Sequence, residues 1–496
     1  MRQFRVFSSR FRLPSGPTAR ASRRVARAGA ALVGATVISG CAWFSPDAGM
    51  GVVANVAYDE LKKDVAAIRT PNDAEAVGLA VRRLLGRTLT ADTAVQVALL
   101  NNRGLQAVYN DLALAEAQMV EGSLPPNPRI SFLRIAGAAE LEIERAVVAD
   151  ILALATLPAR SQIAFVRFRQ AQLAAALETV RLAVQTRRAY YRAVAARELA
   201  AFLEQAQLSA KTGAQLAVRL GETGAMNKLD QAREQVFYAD MTAQLTAARQ
   251  TAASEREALI RLLGLWGGDL RLKLPNALPA LPRRAQSLAA IEVEAVLRRI
   301  DLQISRMELD TLARGYGLTQ ATRFINILDA GYADKYTKEK ETGERIKDRG
   351  FAVELQVPIF DFGEVRVRQA EAVYMQAVNR LLELAVNVRS EARDGYRLYR
   401  SAYDIAGHYQ YEVLPLYKII SDQTLLKYGA MQIDVFSVLT EARQRILATI
   451  TAIQAKRDFW LASADLKAAI VGGGNSGNRN EGTKPMAESP GGAGRH

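Results

Sequence analysis

Side chains able to do chemistry are scarce in this chain. There are two histidines, His408 and His496, and one cysteine, Cys41. A transition-metal site needs three or four His, Cys or carboxylate ligands at close spacing, and no such cluster occurs, so neither a metal nor another cofactor is expected. A phosphate-cradling loop is missing too. Gly472-Gly473-Gly474 belongs to a tail without periodicity, and Gly315-Tyr316-Gly317 lacks the strand before it and the helix after it that such a loop requires. Neighbouring carboxylates such as Asp59 and Glu60 read as solvated helix residues. The chain therefore reads as non-catalytic.

Cys41 stands in a more telling context. Residues 1–40 carry eight Arg and no acid, and close on a short apolar run from Ala28 to Ile38. That run is too short for a permanent membrane helix and reads as the core of a signal peptide. It ends in Ile38-Ser39-Gly40-Cys41, which resembles the bacterial lipobox, where the cysteine is acylated and becomes the first residue. Ala42 in place of Asp points to outer-membrane sorting. Ser22-Arg23-Arg24 faintly resembles a twin-arginine signal, and a downstream start is the other reading of the long basic region. A lone cysteine forms no internal disulfide. Without residues 1–40 the formal charge drops from +14 by eight, to +6. That excess is spread along helical segments, which argues against nucleic acid as a partner.

The elements that must organise the molecule are long and duplicated. Phe351, Val353, Leu355 and Val357 alternate with Ala352, Glu354 and Gln356, the period of a strand with one apolar face. Pro358 ends the run, Asp361 stands where it could cap a helix with Glu364 at its third position, and about 60 residues of helix formers follow. Val166-Arg167-Phe168-Arg169-Gln170-Ala171 matches Val365-Arg366-Val367-Arg368-Gln369-Ala370 at five of six positions, 199 residues away. Thr90 or Asp92 can cap a helix reaching about Glu121. Leu105, Val108, Leu112, Ala115 and Met119 form a coiled-coil seam on it, echoed by Leu302, Ser305, Leu309 and Leu312. Helical patterns from 161–220 and beyond Glu364 break at Gly221–Met226 and at Tyr428–Met431, where the identical triplets Gly224-Ala225-Met226 and Gly429-Ala430-Met431 mark hairpin tips. The segments are a signal peptide (1–40), a lipidated linker (41–88), a first repeat (89–264), an inter-repeat linker (265–287), a second repeat (288–471) and a disordered tail (472–496).

Each repeat interrupts its helices with strands. Pro125-Pro126-Asn127-Pro128 stops a helix and Arg129–Ala136 has strand composition. Glu140, Glu142 and Glu144 alternate with Leu141 and Ile143 as a second strand would; a solvated helical turn and a strand running on to Leu157 are the alternatives. Arg323–Tyr332 and Gly350–Val357 make the second hairpin, around a charged loop from Ala333 to Arg349. A four-stranded sheet in a membrane leaves two unpaired edges, so closure requires other copies of the chain.

Taken together, Leu89-Thr90-Ala91-Asp92, Ala98-Leu99-Leu100-Asn101-Asn102 with Leu105-Gln106, Asn127-Pro128, Val357-Pro358-Ile359-Phe360-Asp361-Phe362-Gly363 and the Tyr428-Gly429 tip resemble the outer membrane factor family. These are the TolC-like channels of tripartite efflux and secretion systems, here their lipoprotein branch, and the resemblance covers about residues 85–471. It implies a mainly α fold with a small membrane β-part: a homotrimer whose twelve strands form one barrel in the outer membrane, continued by a periplasmic α-helical barrel. It implies a passive exit duct for small solutes, served by a periplasmic adaptor (membrane fusion protein) and an inner-membrane pump of the resistance-nodulation-division or ABC type. In that frame Cys41 is the lipid anchor. Arg219, Leu220, Gly221, Gly224, Lys427, Tyr428 and Gly429 sit where the family's tips touch the adaptor. Asp434, with Asp230 as its first-repeat counterpart, supplies the carboxylate of a periplasmic gate, and Ser437 stands where a second acid is expected. Pro415 is a hinge, because a mid-helix proline removes one backbone bond. Phe324, Tyr332, Phe351, Phe360 and Phe362 read as an interfacial belt or as ordinary strand packing. Two other readings stay open: a lipid-anchored coiled-coil scaffold without a channel, and a duct for polypeptides.

Overall fold

The computed structural model describes residues 44–270, 272–287 and 290–473. Cys41, the stretch expected to be a signal peptide and the residues beyond Gly473 lie outside the described residues. The fold is mainly helical with one four-stranded antiparallel sheet. By their contacts the residues sort into two units. One joins Gln118–Ala164 to Ile327–Gln356 and holds the sheet; the other comprises Ser45–Ala117, Phe165–Asn326 and the chain from Val357 onward.

The stretch read as a linker contains two helices, α1 (Met50–Leu61) and α2 (Pro71–Leu85). α2 starts on a capping box: the Asp73 backbone N–H donates to Thr70 Oγ1, and the Thr70 N–H donates to Asp73 Oδ2 at 2.9 Å. Between them residues 62–70 are held by two glutamines. Gln96 exchanges both amide bonds with Asp64, and Gln106 donates to the Ala66 carbonyl while accepting from the Ile68 N–H at 2.8 Å.

α3 (Ala91–Asn101) is capped by Thr90, whose Oγ1 accepts from Thr93 N, so Asp92 is not the cap. The helix expected to reach Glu121 is broken at Asn102, which is extended, and resumes as α4 (Arg103–Ser123). The buried stripe of α4 is Leu105, Tyr109, Leu112, Glu116 and Val120, not the seam through Val108, Ala115 and Met119. Its spacing of four, three, four and four follows the 3.6-residue turn of a straight helix, whereas the expected seam assumed the 3.5 of a supercoil. Glu116 is buried because it accepts from Ser45 N at 2.7 Å.

After the first hairpin, α5 (Ile151–Glu222) runs 72 residues, about 108 Å if straight. The apolar run 151–157 is helical because Asp150 Oδ1 accepts from Ala153 N at 2.7 Å, an N-cap that ends the strand at once. α6 (Lys228–Leu263) returns along α5. Leu203, Ala206 and Ala210 of one pack on Met241, Leu245 and Ala248 of the other, small residues letting the helices approach closely. The second repeat has α7 (Ile291–Arg298), α8 (Ile300–Ala321), α9 (Glu364–His408), α10 (Leu414–Gly429) and α11 (Val435–Val471). The main core gathers α5, α7, α8, α9 and α11 around Val180, Ile291, Leu302, Val388, Tyr399 and Phe459, with Leu281 of the inter-repeat segment inserted. Gly472 and Gly473, placed in the tail by sequence, are buried, and a Cβ at Gly473 would meet the Arg181 backbone at 2.9 Å.

The duplication is clearest where α3 meets α4 and α7 meets α8. Asn102 (φ −67°, ψ 118°) and Arg299 (φ −60°, ψ 120°) share one extended conformation. Asn101 and Asn102 donate to the last carbonyls of α6, at Leu262, Leu263 and Gly264. Arg299, 3% exposed, does the corresponding work on α11 by donating to the Ala469 carbonyl, and is neutralised by Asp301 and Glu391. Orphan C-terminal carbonyls are satisfied in both halves by different chemistry.

Candidate functional site: a two-faced sheet and paired helical tips

The sheet order is β1 (Arg129–Ala136), β2 (Glu140–Asp150), β3 (Ile327–Glu339) and β4 (Arg345–Gln356). β1 and Asn127-Pro128 fall where the sequence put them. The second hairpin is longer than expected. Ala333–Glu339 and Arg345–Arg349, read as loop from their charge, pair through Lys338↔Arg345. β2 and β3 pair from Glu140↔Glu339 to Asp150↔Asp329, so the two repeats are stitched into one sheet whose outer edges, β1 and β4, are open.

Paired residues share a face, so the register sorts every side chain. One face carries the rows Leu328-Leu355, Ala149-Ala330-Val353 and Ile130-Val147-Tyr332-Phe351, followed by Phe132-Arg145-Asp334-Arg349, Arg134-Ile143-Tyr336-Lys347 and Ala136-Leu141-Lys338-Arg345. Its apolar rows are bare: Phe351 is 88% and Val353 70% exposed. Tyr332 and Phe351 pack ring to ring at 5.4 Å. The opposite face carries Glu140, Glu142, Glu144 and Asp150 of β2, Asp329 and Glu339 of β3, and Asp348 and Glu354 of β4. Its two cations are used there: Arg129 pairs with Asp329 and Lys335 with Glu142. In the Leu328, Ala330 and Tyr332 rows the first face is apolar, while the acids gather on the opposite face.

At the joint the helix cap is Gly363 (φ 72°), not Asp361, whose Oδ1 accepts from Gly363 N at 3.1 Å and shapes the turn before the helix. A Cβ at Gly363 would lie 2.1 Å from the Arg323 carbonyl oxygen, so the end of α8 comes too close for any other residue. Arg366 donates to that carbonyl at 3.2 Å, and Arg323 reaches Glu364 at 3.2 Å. Phe360 is 97% exposed, and Phe324 and Phe362 are exposed as well.

The tips have matching backbones. After Glu222 come Thr223 to Met226 and then the cap Asn227; after Gly429 come Ala430 to Ile433 and then the cap Asp434. Ala225 N donates to the Leu220 carbonyl, and Gln432 N to the Lys427 carbonyl. The halves therefore correspond with an offset of 207 here, and the identical Gly-Ala-Met triplets are two residues out of structural register. The left-handed position is Gly224 (φ 76°) in one tip and Met431 (φ 57°) in the other, while Gly429 is helical with open space around it. Arg219, Leu220 and Gly221 end α5; Lys427, Tyr428 and Gly429 end α10. Gly221 leaves room for Gln231, whose amide donates to the Met226 carbonyl at 3.0 Å.

The backbone match also reassigns the acids. Asp434 corresponds to Asn227, and Asp230 to Ser437. Asp434 Oδ1 accepts from both Oγ and N of Ser437, and these bonds hold its carboxyl below the usual value of 3.8. Asp230 is engaged by Asn227 and by Arg233 at 2.9 Å. Sequence reasoning missed the buried pair behind the tips: Glu234 of α6, 2% exposed, meets Arg443 of α11 at 2.5 Å, and the Arg443 guanidinium lies 4.8 Å from the Phe237 ring centre. Nothing in the sequence sets Glu234 apart from the polar residues around it.

Pro415 lies just past a single π-turn, Tyr409–Val413, that separates α9 from α10. A proline ring collides with the carbonyl four residues earlier, here Tyr411, and the wider π-turn removes that collision. The corresponding part of α5 is unbroken.

No family model matches the chain, and no curated protein matches it in sequence. Solved structures do match. The Campylobacter jejuni CmeC outer membrane channel is 16% identical with a TM-score of 0.65, over 83% of this chain and 89% of that one. The open state of the Neisseria gonorrhoeae MtrE outer membrane channel is 15% identical with a TM-score of 0.61, over 77% and 88%. CusC, described with its transmembrane channel formation, is 17% identical with a TM-score of 0.65, over 77% and 92%. The chain has the fold of the TolC-like outer membrane factor channels.

Proposed function

We propose that three copies of this chain close their sheets into a twelve-stranded outer-membrane barrel. The assembly would serve as the passive exit duct of a tripartite efflux system for small solutes. The observation that carries the reading is the sheet itself: two open edges, one face with bare apolar rows and one acidic face, in a chain with the fold of outer membrane channels. An open edge in hydrocarbon leaves backbone groups without partners at several kcal/mol each, so closure with other copies is the physical requirement. α10 gives independent support. It buries no residue within the protomer, yet shows Leu416, Ile419, Leu425 and Leu426 at half exposure or more, a surface that a neighbouring copy would cover.

In this reading Cys41 carries the lipid, and its replacement by Ser abolishes acyl labelling. The tips, with Arg219 and Lys427 at their rims, receive an adaptor that links the duct to an energised inner-membrane pump. Asp434 rings the periplasmic end in threefold copies. The test is to purify the full chain in detergent, determine its mass by native mass spectrometry and record conductance in planar bilayers. A trimer with stepwise conductance is expected. A monomer without conductance would refute the duct and favour a lipid-anchored scaffold.

A further inference from the structure

We infer that the half of the apolar sheet face nearest the hairpin turns is a binding belt for the phosphate groups of a multiply phosphorylated outer-leaflet glycolipid. The inference rests on the duct reading, which puts this face toward lipid. In three consecutive rows beyond the Tyr332-Phe351 pair, six cations appear: Arg134, Arg145, Lys338, Arg345, Lys347 and Arg349. Asp334 is the one acid among them, 3.5 Å from Arg349. The rows span about 14 Å along the strands, two steps of roughly 7 Å.

The basicity belongs to the face and not to the segment. In the same part of the sheet, the opposite face presents Glu140, Glu142, Glu144, Glu339 and Asp348 with a single cation, Lys335, which pairs with Glu142. Chance solvation of strand ends would mix the signs evenly on both faces. Here Lys338 stands directly opposite Arg345, and like charges at paired positions repel unless an anion lies between them. Lys347 lies 6.0 Å from the Tyr336 ring centre, which keeps a cation beside an aromatic ring. The order along the strand is apolar rows, an aromatic pair, then cations, which is the order of acyl chains, interface and phosphates at a leaflet surface. Arginine forks match phosphate oxygens two at a time, so a lipid with two phosphates can bridge neighbouring strands.

The test uses the purified full-length protein in phosphatidylcholine nanodiscs doped with equal traces of lipid A and phosphatidylglycerol, with native mass spectrometry reading the lipids retained. Wild type should retain lipid A about tenfold over phosphatidylglycerol, falling at high salt. The triple variant Arg345→Gln, Lys347→Gln, Arg349→Gln should lose most of that enrichment while still conducting. Glu142→Gln on the opposite face should retain it. Should the triple variant fail to insert, Arg349→Lys, which keeps the charge and loses the fork, should lower the enrichment severalfold. Wild-type enrichment in the triple variant or in Arg349→Lys, or equal retention of phosphatidylglycerol by the wild type, would overturn the belt. Absence of conductance in the wild type would overturn the duct reading instead.

Discussion

Glu234 and Arg443 allow a prediction with a definite order of effects. The pair ties α6 to α11 just behind the tips, and its two members differ in burial. The Glu234 side chain is 2% exposed and that of Arg443 24%. Replacing Arg443 by Met strands a fully buried carboxylate, and breaking a buried pair from one side costs about 3–5 kcal/mol. Replacing Glu234 by Gln leaves a cation that still reaches water and lies over Phe237, so its cost is the smaller, about 1–3 kcal/mol. Removing both, as Glu234→Leu with Arg443→Met, should restore most of the loss, because no charge remains to be desolvated. Native-state hydrogen exchange across α6 and α11 near the tips is the assay. At 1.4 kcal/mol per tenfold, Arg443→Met should speed exchange between about a hundredfold and a few thousandfold. Additive single and double effects would refute the coupling, and a larger cost for Glu234→Gln would refute the burial argument.

Three further outcomes follow from the tips and the hinge. Met431→Gly should stabilise the second tip by about 1 kcal/mol, since a non-glycine residue pays for positive φ, whereas Gly224→Ala should destabilise the first by a similar amount; thermal unfolding of both variants checks this. The Asp434 carboxyl lies below 3.8 in the folded chain, so its cap is fully effective above the unfolded value and is lost as pH falls through the lowered folded one. The protection factor of the Ser437 amide, its exchange relative to the intrinsic rate at each pH, should therefore hold steady from pH 7 to about 5 and fall in stronger acid, and a fall beginning near neutrality would exclude Asp434 as the cause. Pro415→Ala permits regular helical bonding across the π-turn, so exchange at residues 409–415 should slow and channel openings should become rarer; unchanged opening would discard the hinge.

Much of this architecture was legible because it is written in backbone punctuation. Thr90 caps its helix, Asn127-Pro128 precedes β1, and both tips fall where helical periodicity stops. The misreadings have a common physical origin. Residues 146–157 are apolar but for Asp150 and Thr156, so periodicity could not place the strand end, and the one carboxylate, Asp150, decides it. The charges of 333–349 suggest a loop when a single strand is read without its neighbours; in register, the same charges sort by face, with Asp334 and Lys335 as the exceptions. The π-turn depends on a collision between Pro415 and a carbonyl four residues away, which no composition reveals. The Glu234–Arg443 tie joins residues 209 apart, and neither one announces the other.

The slipped Gly-Ala-Met triplets bear on how this duplicated chain can be recombined. A chimera spliced by matching letters, Gly224 to Gly429, would displace the following helix by two residues. At 100° per residue that is a rotation of about 200°, which turns the packing face of the following helix away from its neighbours. A splice matching backbone, Gly224 to Met431, keeps the helix in phase although it aligns unlike residues. The two halves have conserved geometry while their spelling drifted, so inheritance at these tips is better traced by torsion angle than by identity.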